Sequence, residues 1–208
     1  MPVITSVKFG KSTDRVDIYI DGKLGFSTSL ETYVSLGLKT GQHLDDDELK
    51  ELVDKGKFES VYAKILKFAS LRPRSEKEFR DWLAKHKVSN EFHQDIFNRL
   101  KRLGFLDDRK FASWWISQRL EFRHKSKKEM IFELRAKGID EKVIKEVVDE
   151  FVDQKTQIES AKKIVDKIYP KLKNMDGFEK RKRIFSHLAR KGFGYDVIRE
   201  VVGELSED

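Results

Sequence analysis

The chain has 208 residues, 38% apolar and 38% charged, with a formal charge of +7, a balance that suits a water-soluble chain with modest cores and argues against disorder. It contains no cysteine, which excludes disulfides, Cys-ligated zinc and thiol nucleophiles and agrees with a reducing compartment. No apolar run nears the roughly 20 residues that cross a bilayer, and the start of the chain lacks the pattern of an export signal, so a cytoplasmic location without membrane contact is expected.

Up to Thr28 the sequence alternates like strands, with Val3, Val7 and Phe9, then Val16, Ile18 and Ile20. Asp21-Gly22 is a two-residue hairpin signal, because both residue types tolerate the positive φ of a type I′ turn. Ser29 is placed to cap a short helix through Tyr33 and Val34. The run Asp45-Asp46-Asp47-Glu48 reads as the N-terminus of a helix whose apolar stripe is Leu49, Leu52 and Val53. Metal binding by that run lacks support, since no His or second carboxylate cluster recurs at a matching spacing.

From Phe58 onward the apolar period changes from 2 to 3.6, and the sequence repeats itself. Leu83-Ala84-Lys85-His86-Lys87-Val88 aligns with Leu134-Arg135-Ala136-Lys137-Gly138-Ile139 and with Leu188-Ala189-Arg190-Lys191-Gly192-Phe193, at spacings of 51 and 54 residues. Apolar positions stay in step on both sides, as Phe79, Met130 and Ile184 before the anchor and Phe92, Val143 and Val197 after it. Such a pattern predicts an array of small units that bury apolar faces against their neighbours.

Within the first unit, Phe58, Val61, Tyr62, Ile65, Leu66 and Ala69 form one helix, which Pro73 ends by disfavouring helical geometry at Arg72. Ser75 with Glu78, and Ser126 with Glu129, have the spacing of a capping box at the start of the second helices. The third unit has Lys180 and Arg183 at those positions, so its helix is expected to start near Asp176. Gly138 and Gly192 stand where a left-handed cap ends the second helix, and Lys87 substitutes in the first unit at some cost. Third helices are expected to begin at Ser89, Asp140 and about Gly194. Their stripes are Phe92, Ile96, Leu100 and Leu103, then Val143, Val147, Val148 and Phe151, then Val197, Ile198, Val201 and Val202. The fold class is therefore mainly α: three tandem three-helix-bundle repeats in an elongated array, preceded by a small β-hairpin and short-helix segment. The expected divisions are residues 1–57 for that segment and 58–107, 108–155 and 156–208 for the repeats.

No catalytic site assembles from this sequence. His43, His86, His93, His124 and His187 show no metal spacing and no nucleophile motif accompanies them, so no catalytic residue, metal or cofactor is assigned and a non-enzyme is expected. Gly192-Phe193-Gly194 follows no strand and reads as a helix cap. His93 is expected to face solvent.

The basic residues are more telling. Residues 1–57 hold 8 Lys/Arg against 10 Asp/Glu, leaving 35 of the 43 Lys/Arg and 26 of the 36 Asp/Glu to the repeats. They gather on the second helices and their approaches. The candidate contacts for a partner or nucleic acid are Arg72, Arg74, Lys77, Arg123, Lys125, Lys127, Lys128, Lys137, Arg181, Lys182, Arg183, Arg190 and Lys191. Third helices two and three are acidic or mixed, with Glu141, Glu146, Asp149 and Glu150, then Asp196, Glu200 and Glu204. A helix-turn-helix reading would send those third helices into the major groove against phosphate repulsion. Contacts from second helices to phosphates, with little direct base reading, are favoured instead. Trp114 is the candidate for base stacking, since Phe111, Trp115 and Phe122 share the expected core face and Trp114 lies about 100° round the helix from it.

Three stretches carry a family resemblance: Leu71-Arg72-Pro73-Arg74-Ser75-Glu76-Lys77-Glu78-Phe79, Leu103-Gly104-Phe105-Leu106-Asp107-Asp108-Arg109-Lys110-Phe111-Ala112, and Glu133-Leu134-Arg135-Ala136-Lys137-Gly138-Ile139. With the repeat count, they resemble the RecX regulatory proteins of bacteria over about residues 58–205. Where that family often opens the second helix of repeat two with Gly-Pro, this chain has Ser126-Lys127. The resemblance implies a modulator, usually an inhibitor, of the RecA recombinase. It would be a monomer lying along the RecA filament on single-stranded DNA, curbing ATP hydrolysis, strand exchange and SOS co-protease activity; duplex DNA, with weak sequence preference, is a further expected partner. The competing reading is a helix-turn-helix-like DNA-binding protein or transcriptional regulator that acts without the recombinase. Asp107 and Asp108 are expected to start a helix, with Phe111 and Ala112 as packing residues.

Overall fold

A computed structural model describes residues 1–10 and 15–205; the expected end of the third repeat at 208 lies outside them. The chain forms a small sheet followed by helices: β1 (Ile4–Phe9), β2 (Arg15–Ile20), β3 (Lys23–Ser29), α1 (Leu30–Leu36), α2 (Asp46–Ser70), α3 (Glu76–Lys85), α4 (His93–Arg102), α5 (Asp108–Arg123), α6 (Lys127–Ala136), α7 (Glu141–Phe151), α8 (Gln154–Ile168), α9 (Gly177–Arg190) and α10 (Tyr195–Glu204). Its contacts divide it into a first unit, Met1–Arg72 with Trp82–Leu103, and a second, Pro73–Asp81 with Gly104–Asp208.

In the first unit, β2 and β3 form the expected hairpin, and Asp21 and Gly22 both take positive φ, 48° and 77°. The sheet has one strand more than that hairpin. β1 pairs antiparallel with the far side of β2, and its start is held by the segment after α1, through Ile4 N–H to Gln42 O at 3.0 Å and Gly41 N–H to Ile4 O at 2.8 Å. Ile4, Val16, Ile18, Phe26 and Leu44 are buried, with Leu49, Leu52 and Val53 of α2 packed on them.

The helices expected on either side of residue 57 are one helix of 25 residues. Asp45 caps it in a complete box, taking Glu48 N–H at 2.7 Å while Glu48 takes Asp45 N–H at 3.0 Å. Nothing between Val53 and Phe58 breaks the helix. Gly56 is there because the helix approaches β3 so closely that a Cβ would lie 2.3 Å from Phe26 Cδ2.

The second unit contains repeats two and three. α5 packs on α6 and α7 around Phe111, Ala112, Trp115, Ile116, Met130, Leu134 and Val147. α8 packs with α9 and α10 around Ala161, Val165, Ile184, Leu188, Phe193 and Ile198. Helix starts fall as expected. Asp107 caps α5 through Lys110 N–H, Asp140 caps α7 through Lys142 N–H, and Asp176 caps α9 through Glu179 N–H. Gly194 opens α10.

Three readings need correction. Leu103, Phe122 and Phe151, expected in apolar stripes, are 56%, 60% and 37% exposed; each stands at or just past a helix end, where the chain leaves the packed rows. The box at Ser126 is half made, because Ser126 Oγ takes Glu129 N–H at 3.2 Å while Glu129 turns its carboxylate to Lys125 at 2.9 Å. His93 is half-buried, with Nε2 3.2 Å from Val88 O.

Candidate nucleic-acid interface

The second helices of the second unit meet end to end, and the glycine caps are what let them. Gly138 follows α6 at φ +78°, and a Cβ there would stand 3.1 Å from Lys77 Cβ at the start of α3. Lys77 Nζ donates to Ala136 O at 2.9 Å, and Lys137 Nζ donates back to Glu78 at 2.7 Å. One repeat later the same ends meet again. Gly192 follows α9 at φ +82°, a Cβ there would stand 3.0 Å from Ser126 Oγ, and Ser126 Oγ donates to Lys191 O at 2.6 Å. A helix C-terminus is thus set against the N-terminal turn of the preceding second helix, where the opposed partial charges attract.

This arrangement sorts the candidate cations. Lys77, Lys125, Lys127 and Lys137 are committed: Lys77 to a helix-end carbonyl, Lys125 to Glu129 at 2.9 Å, Lys127 to Asp149 at 3.1 Å and Lys137 to Glu78 at 2.7 Å. Arg123, Lys128, Lys182, Arg183, Arg190 and Lys191 are exposed and form no ion pair among the described residues. Arg190 Nε donates to Ser186 O at 3.3 Å. Arg72, Arg74 and Arg181 are half-buried and engaged with neighbours; Arg72 belongs to the first unit, and Arg74 bridges Leu106 through its backbone in the second.

The acidic third helices are partly neutralised from within. Arg109 on α5 binds Glu146 at 2.9 Å and Glu150 at 2.7 Å, which ties α7 to its own repeat. Trp115 Nε1 donates to Glu133 at 2.8 Å, and Arg119, which lies 3.8 Å over the Trp115 ring, donates to the same carboxylate at 2.5 Å. Trp114 is half-buried, its ring centroid 6.0 Å from those of Phe111 and Trp115.

Aromatics stand clear of the core on both second helices of this unit, Phe132 on α6, 72% exposed, and Phe178 in the first turn of α9, 71% exposed; Phe132 is the one beside the junction of the two helices. It borders a hollow of about 430 Å³ between α6 and α9, lined also by Lys128, Arg190 and Lys191. Sequence reasoning passed over it, although the signal was there. Two residues before the anchor leucine, repeats one and three have Asp81 and Ser186, so an aromatic in that row stands on a polar face.

These basic, end-to-end three-helix repeats have counterparts among known proteins. Residues 2–45 match the Regulatory protein RecX N-terminal domain, 107–148 the second RecX three-helix domain and 155–202 the third. A "Regulatory protein RecX" of Bacillus licheniformis is 34% identical over 205 residues, covering 98% of this chain and 78% of that protein. The chain belongs to the RecX family. A RecX of Bacillus subtilis is likewise 34% identical over 206 residues, spanning 99% of this chain and 78% of its own length. The crystal structure of a regulatory protein RecX superposes with a TM-score of 0.72 at 24% identity, over 98% of this chain and all of that one. RecX from Lactobacillus salivarius gives 0.64 over 73% of this chain and 98% of its own. Both share the fold.

The described residues hold no group of three or more His, Cys, Asp or Glu placed to bind a metal, and no described helix is long and apolar enough to cross a membrane.

Proposed function

We propose that this member of the RecX family is a non-enzymatic inhibitor of the RecA recombinase, which binds the RecA filament on single-stranded DNA and so restrains ATP hydrolysis, strand exchange and the co-protease activity of the SOS response. The observation that carries this reading is the set of cations on α6 and α9, Lys128, Lys182, Arg183, Arg190 and Lys191, which no carboxylate among the described residues neutralises. Side chains of this kind suit phosphates, and their affinity accumulates over several contacts along a repeating partner. The engagement of Glu146 and Glu150 with Arg109 speaks against α7 as a groove-reading helix. The protein is expected to act as a cytoplasmic monomer in recombination and DNA repair.

The test is single-strand-dependent ATP hydrolysis by the matching RecA while this protein is titrated in, beside a DNA-only binding control at the same salt. Inhibition is expected well below the protein concentration that coats the DNA. An effect no larger than DNA competition would overturn the proposal in favour of a plain nucleic-acid binder. Preference among unrelated duplexes at matched salt would point to a helix-turn-helix regulator.

A further inference from the structure

Beside the Phe132 hollow, the ends of α5, α6, α8 and α9 enclose a second feature that neither the repeat pattern nor the family description assigns. Two adjoining hollows of about 250 and 240 Å³ share His187 of α9 and the side chain of Ile168. The first is bordered by Arg123, His124 and Lys125 from the end of α5, Glu129 from α6, Lys167 from α8, and Lys191. The second is bordered by Lys171, from the short turn after α8, with Arg183 and Arg190 of α9. One carboxylate faces this array, and Glu129 is already held by Lys125 at 2.9 Å. So many like charges at one place raise the free energy of the folded chain unless an anion joins them. Burial, then the nearby charges of Lys191, Arg190 and Arg183, holds the His187 pKa below its usual value.

We propose that the α6–α9 junction seats a single strand of DNA, with one phosphate among Arg123, Lys167, Arg183 and Lys191 around His187 and one base against Phe132. The seat rests on the reading that this surface meets DNA, and it names the part of the strand each residue takes. Lys125, Glu129 and Lys191 border both the phosphate basin and the Phe132 hollow, so the two are continuous. An exposed aromatic face beside a cationic basin fits the alternation of base and phosphate along a strand. An acidic peptide would satisfy the basin but leave the Phe132 face without its use. The carboxylates beside Phe132 do not oppose a strand, since Glu129 is paired with Lys125 and Glu133 with Arg119.

A seated phosphate would offset the field of Arg183, Arg190 and Lys191 and raise the proton affinity of His187. Between its lowered free value and its raised bound value, each bound strand then takes up a proton. Affinity accordingly rises as pH falls through the bound value and levels off below the free one. His124 and Glu129 also border the basin, so a variant of His187 alone is needed to assign the effect.

The experiment is fluorescence anisotropy of a labelled oligo(dT) with the full chain, without recombinase, at fixed salt and from about pH 8 to about pH 6, the range in which histidines titrate. Phe132→Ala is expected to weaken binding about fivefold or more and Phe132→Tyr to keep it. Arg183→Gln with Lys191→Gln, which face the one seated phosphate, should lower the slope of log affinity against log salt by up to about 0.7, and His187→Gln should flatten the pH dependence. Parent-like binding by a Phe132→Ala chain with native circular dichroism would overturn the seat. So would displacement by poly-glutamate as effective as by unlabelled dT, which would assign the basin to an acidic protein. Because no recombinase is present, strand binding without an effect on ATP hydrolysis would sink the regulator and leave the seat, and the converse result would do the opposite.

Discussion

Single residues at helix ends decide how closely the repeats approach. Gly138 and Gly192 combine a left-handed backbone with a neighbour about 3 Å from where a Cβ would be, whereas Lys87 takes φ +51° with a side chain. A side chain in that region costs about 1–2 kcal/mol. Gly138→Ala should therefore destabilise the chain by at least that amount in urea unfolding, and Lys87→Gly should stabilise it by about 1 kcal/mol; opposite signs at the two sites are the diagnostic result. Asp108 offers a second test. Its Oδ1 accepts the Glu76 N–H at 3.2 Å, yet burial outweighs that bond and pushes its pKa above the usual value. The folded chain thus holds this proton more tightly than the unfolded chain, and the Asp108 contribution to stability falls as pH rises from about 4 through the raised value. Asp108→Asn keeps an acceptor without the charge. Its stability relative to the parent should grow from about pH 4 to about pH 7, and a pH-independent difference would refute the assignment.

Helix starts were legible because a cap is a local bargain between a side chain and an amide three positions on, as at Asp45, Asp107 and Asp176. Contacts between distant elements were not. The close approach of α2 to β3 depends on Gly56, whose role is set by Phe26 on β3, a residue that no helical pattern brings to mind. Gly56→Ala, favourable by helix propensity alone, should instead cost about 1–3 kcal/mol because the helix or Phe26 must move. Differential unfolding of Gly56→Ala with and without Phe26→Leu would separate crowding from propensity, since crowding predicts partial recovery in the double variant. Ser126 is legible as a cap, but its bond to Lys191 O at 2.6 Å crosses 65 residues and appears only once the helices are placed. The exposed ends of α4, α5 and α7 were misread for a related reason. Periodicity extends a stripe to the end of a helix, whereas packing ends where the neighbouring helix does.

At the scale of the whole molecule, charge was the most legible property and the least sufficient one. Composition locates the excess of Lys/Arg in the repeats, and the 3.6 period assigns it to the second helices, but neither tells a committed cation from an available one. That distinction comes from the end-to-end packing, which spends Lys77 and Lys137 on the join between α3 and α6, and from Asp149, which takes Lys127. It has a measurable consequence. Lys128→Gln with Lys182→Gln should lower the single-strand salt slope by about 0.7 per charge removed, at little cost in stability. Lys127→Gln with Lys137→Gln removes the same formal charge from groups already paired, so the salt slope should change less while unfolding moves to lower urea. The Lys137–Glu78 pair, 2.7 Å long and half-buried, makes the stability loss of the second double variant the larger one, because a screened surface charge contributes less than a pair at a packed junction. Equal slopes from the two double variants would mean that total charge, rather than its placement by the repeat junctions, sets the salt dependence of the proposed strand binding.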